Sequence, residues 1–202
     1  MSRIFVALYL LICGTIVFRM FIPEDVEREF SPSIRREVQQ RVMVAENERK
    51  PVEPLFRQVA TEFSLDPEIL YAIADHESGN NPWALNIEGR AIYPASREKA
   101  LSIIEKNRTK SFDVGLMQVN SFWIDKFDLS VATALEPEGN VRLGAWVLRY
   151  CLDKYGYNWR AIGAYHTGSP KKMPERSRAY AEKVMKKYNS LMEISRNVKK
   201  KN

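Results

Sequence analysis

The chain has 202 residues, 45% hydrophobic and 28% charged; this supports one well-buried domain and excludes both a second sizeable core and disorder of the whole chain. Its formal net charge of +6 and sequence pI near 9.3 favour acidic partners in general. With only Cys13, Cys151, His76 and His166 available, a disulfide framework and a structural zinc site are both excluded, and no metal or other cofactor is expected.

Residues 1–22 form the first unit. Ile4–Phe18 is almost wholly apolar, with Arg3 before it and Arg19 after it. If Arg19 snorkels to the interface, Ile4–Ile22 is about long enough to cross a bilayer. It reads as a signal anchor or signal peptide, since no clean small-residue cleavage site follows. Residues 23–51 are crowded with charges of both signs, and Ser31-Pro32 offers a helix start. This segment reads as a solvated helical stalk that ends at Pro51 and Pro54.

From residue 52 to 190 the pattern is that of a catalytic-size core, followed by a basic tail over 191–202. Leu55, Phe56, Val59, Ala60 and Phe63 form a helical stripe. Asp66-Pro67-Glu68 starts the next helix: an N-cap aspartate, proline at the first position and an acid in the first turn. That helix reaches about Glu77 and stops at Gly79. Asn86–Tyr93 suggests a small hairpin about Glu88-Gly89, and Ser96–Lys106 a helix. Gly115–Asp125 reads as short helical turns, Pro137–Tyr155 as a long helix, Trp159–Tyr165 as a short one and Pro174–Met192 as a basic final one. The fold class expected is mainly α with at most a minor β-hairpin.

One helix carries a chemical anomaly. Its buried stripe is Leu70, Ile73 and Ala74, and the next position on that stripe is Glu77. A carboxyl in an apolar position, in the last turn where the helix dipole is negative, is pushed toward its protonated form. A general acid requires that form. The competing reading is a glutamate paired with a cation or frayed into solvent. His76-Glu77 also opens a zincin-like motif, but the second histidine would fall at position 80, which is Asn80.

Three other segments place polar groups among apolar ones. Gln118 and Asn120 follow a tight glycine turn at Gly115; they either meet a polar ligand or bond to local backbone. Asn140 lies near the start of the long helix, as a ligand contact or a cap. Tyr165 and His166 end the short helix, and Tyr165 suits a core tyrosine equally well.

Taken together, Glu77-Ser78, Asn81-Pro82, Ala84-x-Asn86, Gly115-Leu-Met-Gln118, Asn140 and Ala164-Tyr165-x-x-Gly168 resemble the family 1 lytic transglycosylases. The match runs from about Val52 to Val184. It looks closest to the specialised enzymes of type III and type IV secretion and of conjugation, in the phrases Phe112–Ser121 and Ile162–Pro170. The resemblance implies a lysozyme-like (goose-type) helical fold. It also implies cleavage of the β-1,4 bond between N-acetylmuramic acid and N-acetylglucosamine, with 1,6-anhydro ends. Glu77 is implied as the catalytic acid and then base, without the second carboxylate of ordinary glycosidases. Ser78, Gln118, Asn140, Tyr165 and His166 are implied as substrate-binding residues. His166 is a departure, because the family usually has asparagine there; a neutral imidazole also donates and accepts.

The implied partners are peptidoglycan strands and secretion or conjugation machinery, with a periplasmic location. Nucleic acid is not expected, since Lys199-Lys200-Lys201 is a terminal charge run of the kind solvent usually satisfies. Two alternatives stand beside this reading. One is a lysozyme-type hydrolase with Asp113 activating water. The other is a wall-binding assembly factor that keeps the fold, which an intact Glu77 disfavours.

Overall fold

A computed structural model describes residues 31–43 and 52–199. The expected export segment, residues 1–22, lies outside the described residues, as do parts of the charged segment after it. Among the described residues, no helix is long and apolar enough to cross a membrane.

The core is built around one helix. We number the helices α1 (Pro32–Met43), α2 (Val52–Glu62), α3 (Pro67–Ser78), α4 (Arg97–Glu105), α5 (Ser121–Lys126), α6 (Val131–Leu135), α7 (Pro137–Tyr155), α8 (Trp159–Thr167) and α9 (Pro174–Lys199). Helix α7 packs against α1, α2, α6 and α8. It buries residues on almost every side, including Val141, Leu143, Ala145 and Leu148. A helix so enclosed belongs at the centre of a domain rather than at its surface. Helix α9 lies across α8 and α3 and closes the opposite side.

Local chemistry explains the boundaries of α3. The Asp66 side chain accepts from the Glu68 N–H, proline holds the first helical position, and Gly79 ends the helix in the left-handed conformation at φ 61°. The helix expected over Ser96–Lys106 is present as Arg97–Glu105, with Ser96 as its N-cap accepting from the Lys99 N–H.

Four features differ from the sequence reading. The sheet is larger than a hairpin: β1 (Leu85–Ile87), β2 (Arg90–Ile92), β3 (Phe112–Val114) and β4 (Val119–Asn120) form one antiparallel sheet in the order β2-β1-β3-β4. The hairpin about Glu88-Gly89 is its outer half. The part of Gly115–Asp125 expected as helical turns is instead a β-turn, strand β4 and only then α5. Strands of two and three residues are too short to show alternation in a sequence.

The helix expected as a solvated stalk also behaves differently. Helix α1 docks on the core: Val38 is 1% exposed, and the Gln39 side-chain amide donates to the Phe127 carbonyl at 2.7 Å. Ile34 packs against the core as well, so two apolar residues and one amide amid many charges carry that contact. Finally, α9 runs on to Lys199, past the expected end at Met192, through the start of the expected tail. No glycine or proline interrupts residues 175–199, so nothing in the chain stops the helix.

The sheet has two unlike faces. Asn86 pairs with Ala91 and Asp113, and Asp113 pairs with Asn120. Paired residues in antiparallel strands share a face, so Asn86, Asp113 and Asn120 form a polar row across three strands. Leu85, Val114 and Val119 are buried on the other face.

Candidate active site

The polar face of the sheet forms one wall of a cleft of about 230 Å³. Glu77, Asn86, Asp113, Gln118, Tyr165 and His166 all open on it.

Glu77 reaches the cleft from the last turn of α3. Its Oε1 accepts a hydrogen bond from the Tyr180 hydroxyl at 2.6 Å. Burial pushes its pKa up to about 8; the Tyr180 bond acts against that shift, and the Asp113 charge adds to it. Neither expected alternative holds, since no described cation pairs with Glu77 and the helix is capped just beyond it. At neutral pH this carboxyl keeps its proton, and it can hand that proton to an ether oxygen in the cleft.

Asp113 stands on the same wall. Burial raises its pKa to about 6, while the Asn120 side-chain amide, donating at 2.7 Å, holds it down. Two carboxyls pushed to different values can occupy different states at one pH. Near pH 7, Glu77 is the protonated one.

Tyr165 and His166 flank this pair. His166 stacks on Tyr180, with ring centroids 4.6 Å apart and planes 3° from parallel. Its Nε2 accepts from the Arg176 Nε–H at 3.2 Å. Burial first, then the Arg176 charge, push its pKa down to about 4, so the imidazole is neutral and free to accept. His76 meets the Tyr180 ring edge-on at 5.2 Å. The tyrosine that touches Glu77 is thus fixed by two imidazoles.

The remaining motif residues converge on one turn, Gly115–Gln118. The Tyr165 hydroxyl donates to the Met117 carbonyl at 2.8 Å, and Ser78 Oγ lies 2.9 Å from the Leu116 carbonyl. Asn140 accepts from the Met117 N–H at 2.7 Å and donates to the Val114 and Ala134 carbonyls at 2.8 and 2.7 Å. Gly115 has φ 77°, and a Cβ there would sit 2.4 Å from Asn140 Nδ2, so only glycine fits. Gln118, itself at φ 45°, donates to the Ala84 and Gly115 carbonyls at 2.9 and 3.0 Å. Both of its amide protons are committed, which leaves its carbonyl oxygen for a ligand.

Of the residues expected to bind substrate, Gln118, Tyr165 and His166 line the cleft, whereas Ser78 and Asn140 do not. Ser78 and Asn140 are buried behind the turn, at 7% and 0% exposure, with their polar atoms bonded to backbone. Their position is that of supports.

Tyr180 was not anticipated. Its signal was present: Ser177, Ala181 and Val184 mark the buried stripe of α9, and Tyr180 puts a hydroxyl on it, as Glu77 puts a carboxyl on the stripe of α3. The many lysines of that helix masked it. Asn86 also gains weight, because its Oδ1 is buried and has no protein partner while the residue opens on the cleft.

A mainly helical domain with a small sheet, and a protonated carboxyl in the cleft beside that sheet, has the features expected of a lytic transglycosylase. Comparison with known proteins agrees. A family model described as the transglycosylase SLT domain matches residues 54–191. The chain is 34% identical over 143 residues to the invasion protein IagB of Salmonella typhi, covering 69% of this chain and 78% of that one. It is 30% identical over 131 residues to the protein IpgF of Shigella sonnei, covering 62% and 73% respectively. Over 92 residues it is 30% identical to the type IV secretion system protein virB1 of Brucella abortus, covering 44% of this chain and 39% of that one. The chain belongs to the SLT-domain transglycosylase family, whose substrate is peptidoglycan, and is by class a lytic transglycosylase.

Proposed function

We propose that the protein cleaves the β-1,4 bond between N-acetylmuramic acid and N-acetylglucosamine, leaves 1,6-anhydro ends, and opens the wall locally for a secretion or conjugation apparatus. The observation that carries the reaction is Glu77, a carboxyl that keeps its proton at neutral pH and opens on the cleft. Glu77 gives that proton to the glycosidic oxygen as the bond to C1 breaks, and the N-acetylglucosamine side leaves with its hydroxyl. The Tyr180 hydroxyl steadies the resulting carboxylate. The carboxylate then takes the proton of the muramoyl C6 hydroxyl as that oxygen bonds to C1. Glu77 ends protonated, as it began, and no water is consumed.

The setting in a secretion apparatus rests on the names of the relatives, one an invasion protein and one a type IV secretion protein. The envelope location rests on the same names and on the apolar run Ile4–Phe18. A reporter fused after Asn202 should be active only if it is one that needs the periplasm; cytoplasmic reporter activity would refute the location.

Asp113 supports a second reading. A partly ionised carboxyl on the same cleft could activate water and make the enzyme a hydrolase. Mass spectrometry of muropeptides released by the purified protein separates the two, since anhydro ends mean intramolecular closure and reducing ends mean hydrolysis. Glu77→Gln should fold normally and lose nearly all release in either case, because the amide keeps the shape but cannot cycle a proton. Release near the wild-type rate would remove Glu77 from the mechanism.

A further inference from the structure

The position where this chain departs from its family's usual pattern, His166, is bonded to a cation in the cleft wall. Arg176 comes from the first turn of α9, is exposed, and lines the cleft beside His166. Its Nε–H is taken by His166 Nε2. It makes no ion pair among the described residues, unlike Arg97, Arg142 and Arg149, which each have a carboxylate. A guanidinium fastened through Nε keeps its two terminal amino groups for another acceptor, and their fork matches a carboxylate. The neutral imidazole suits this arrangement: it accepts the Nε–H without adding a competing charge, and its stacking on Tyr180 fixes it relative to Glu77.

We propose that His166 and Arg176 form a carboxylate-binding element in the cleft wall, with Arg176 contacting an acidic group of the glycan and His166 positioning it. The proposal rests on the reading of the cleft as a peptidoglycan site. In that polymer a carboxylate has two sources: the stem peptide, or the lactyl group of muramic acid once the peptide has been removed. Both offer the same chemistry to a guanidinium. His166 is a positioning residue here, and Arg176 is the contact.

The test compares wild-type protein and Arg176→Gln on three soluble glycan preparations. One bears stem peptides, one has been stripped by an amidase so that only lactyl carboxylates remain, and one bears stems whose carboxyls have been converted to methylamides. Release is followed as kcat/KM, with kcat and KM separated. The wild type should prefer at least one carboxylate-bearing preparation over the methylamide by about tenfold, mainly through KM, as expected for one charge-assisted pair at a partly wet site. Arg176→Gln should abolish that preference. Preference for the stem-bearing strands alone identifies the peptide as the source, preference for the stripped strands alone identifies the lactyl group, and preference for both over the methylamide shows that Arg176 takes either carboxylate.

Equal use of all three by the wild type, or an undiminished preference in Arg176→Gln, overturns the proposal. Binding of the same strands to Glu77→Gln, measured by fluorescence titration, scores the preference without turnover. A failed cleavage assignment therefore shows in the products, and a failed carboxylate site shows in the affinities.

Discussion

Glu77 is placed where a protonated carboxyl is comfortable and an ionised one is not, and that preference has a thermodynamic consequence. Its pKa is raised to about 8 in the folded protein, above the ordinary glutamate value. The folded state therefore binds this proton more tightly than the unfolded state does. The stabilisation is fully present below the unfolded value near 4.5 and is lost as pH rises through about 8. Glu77→Gln carries no such penalty. In thermal denaturation the variant should match the wild type near pH 4 and exceed it increasingly toward pH 8, by up to roughly 5 kcal/mol at full ionisation. The activity of the wild type should follow the same group and decline as pH rises through about 8. A stability difference independent of pH would show that Glu77 titrates as an ordinary surface acid. The departure of Glu77 from an apolar stripe was legible in the sequence. The size of its shift was not, because Tyr180 and Asp113 reach it from other parts of the chain.

Among the elements, the turn Gly115–Gln118 gathers most of what the motifs encode. Three residues from three helices, Ser78, Asn140 and Tyr165, bond to its backbone or to its immediate flank. Such bonds replace water for buried peptide groups, and each group left unpaired costs about 1–3 kcal/mol. Asn140→Ala strands three backbone groups and should destabilise the protein by about 3 kcal/mol or more. Chemical denaturation measures that loss. A change under 1 kcal/mol would mean that water enters and replaces the amide. The motif spacing was legible because α3 has clear caps and α7 begins with a proline and carries an apolar stripe. The role of each polar residue was not, since an amide that holds a turn and an amide that holds a sugar look alike in a sequence. Strands β3 and β4 were missed for the plainer reason that five residues carry no period.

The charge of the whole molecule belongs mainly to its exposed lysines and arginines, and the structure divides those of the last helix and the loop before it. Arg178 stacks on Trp159, Lys187 pairs with Asp75, and Arg176 lines the cleft. Lys171, Lys183 and Lys186 are exposed and are the better test of long-range attraction to an acidic wall. Screening shortens that attraction to about 8 Å at physiological ionic strength, so wild-type binding to sacculi should fall as salt rises. Reversing Lys171, Lys183 and Lys186 to glutamate should weaken binding at low salt and flatten the salt curve. Equal binding by the reversed protein would make those lysines merely solvated surface. Domain-scale features were unevenly legible: one core and a mainly helical class followed from length and stripes, whereas the docking of α1 rests largely on Ile34, Val38 and Gln39, too little to stand out among charges.

The bond between Tyr180 and Glu77 spans 103 positions of the chain. A ribosome adding roughly 5–20 residues per second needs about 5–20 s to cover that distance. During that interval the growing chain has its glutamate but lacks the hydroxyl that steadies it and the helix that closes its side of the cleft. The hydrogen bond that meets Glu77 is therefore among the last contacts of the cleft that synthesis makes available.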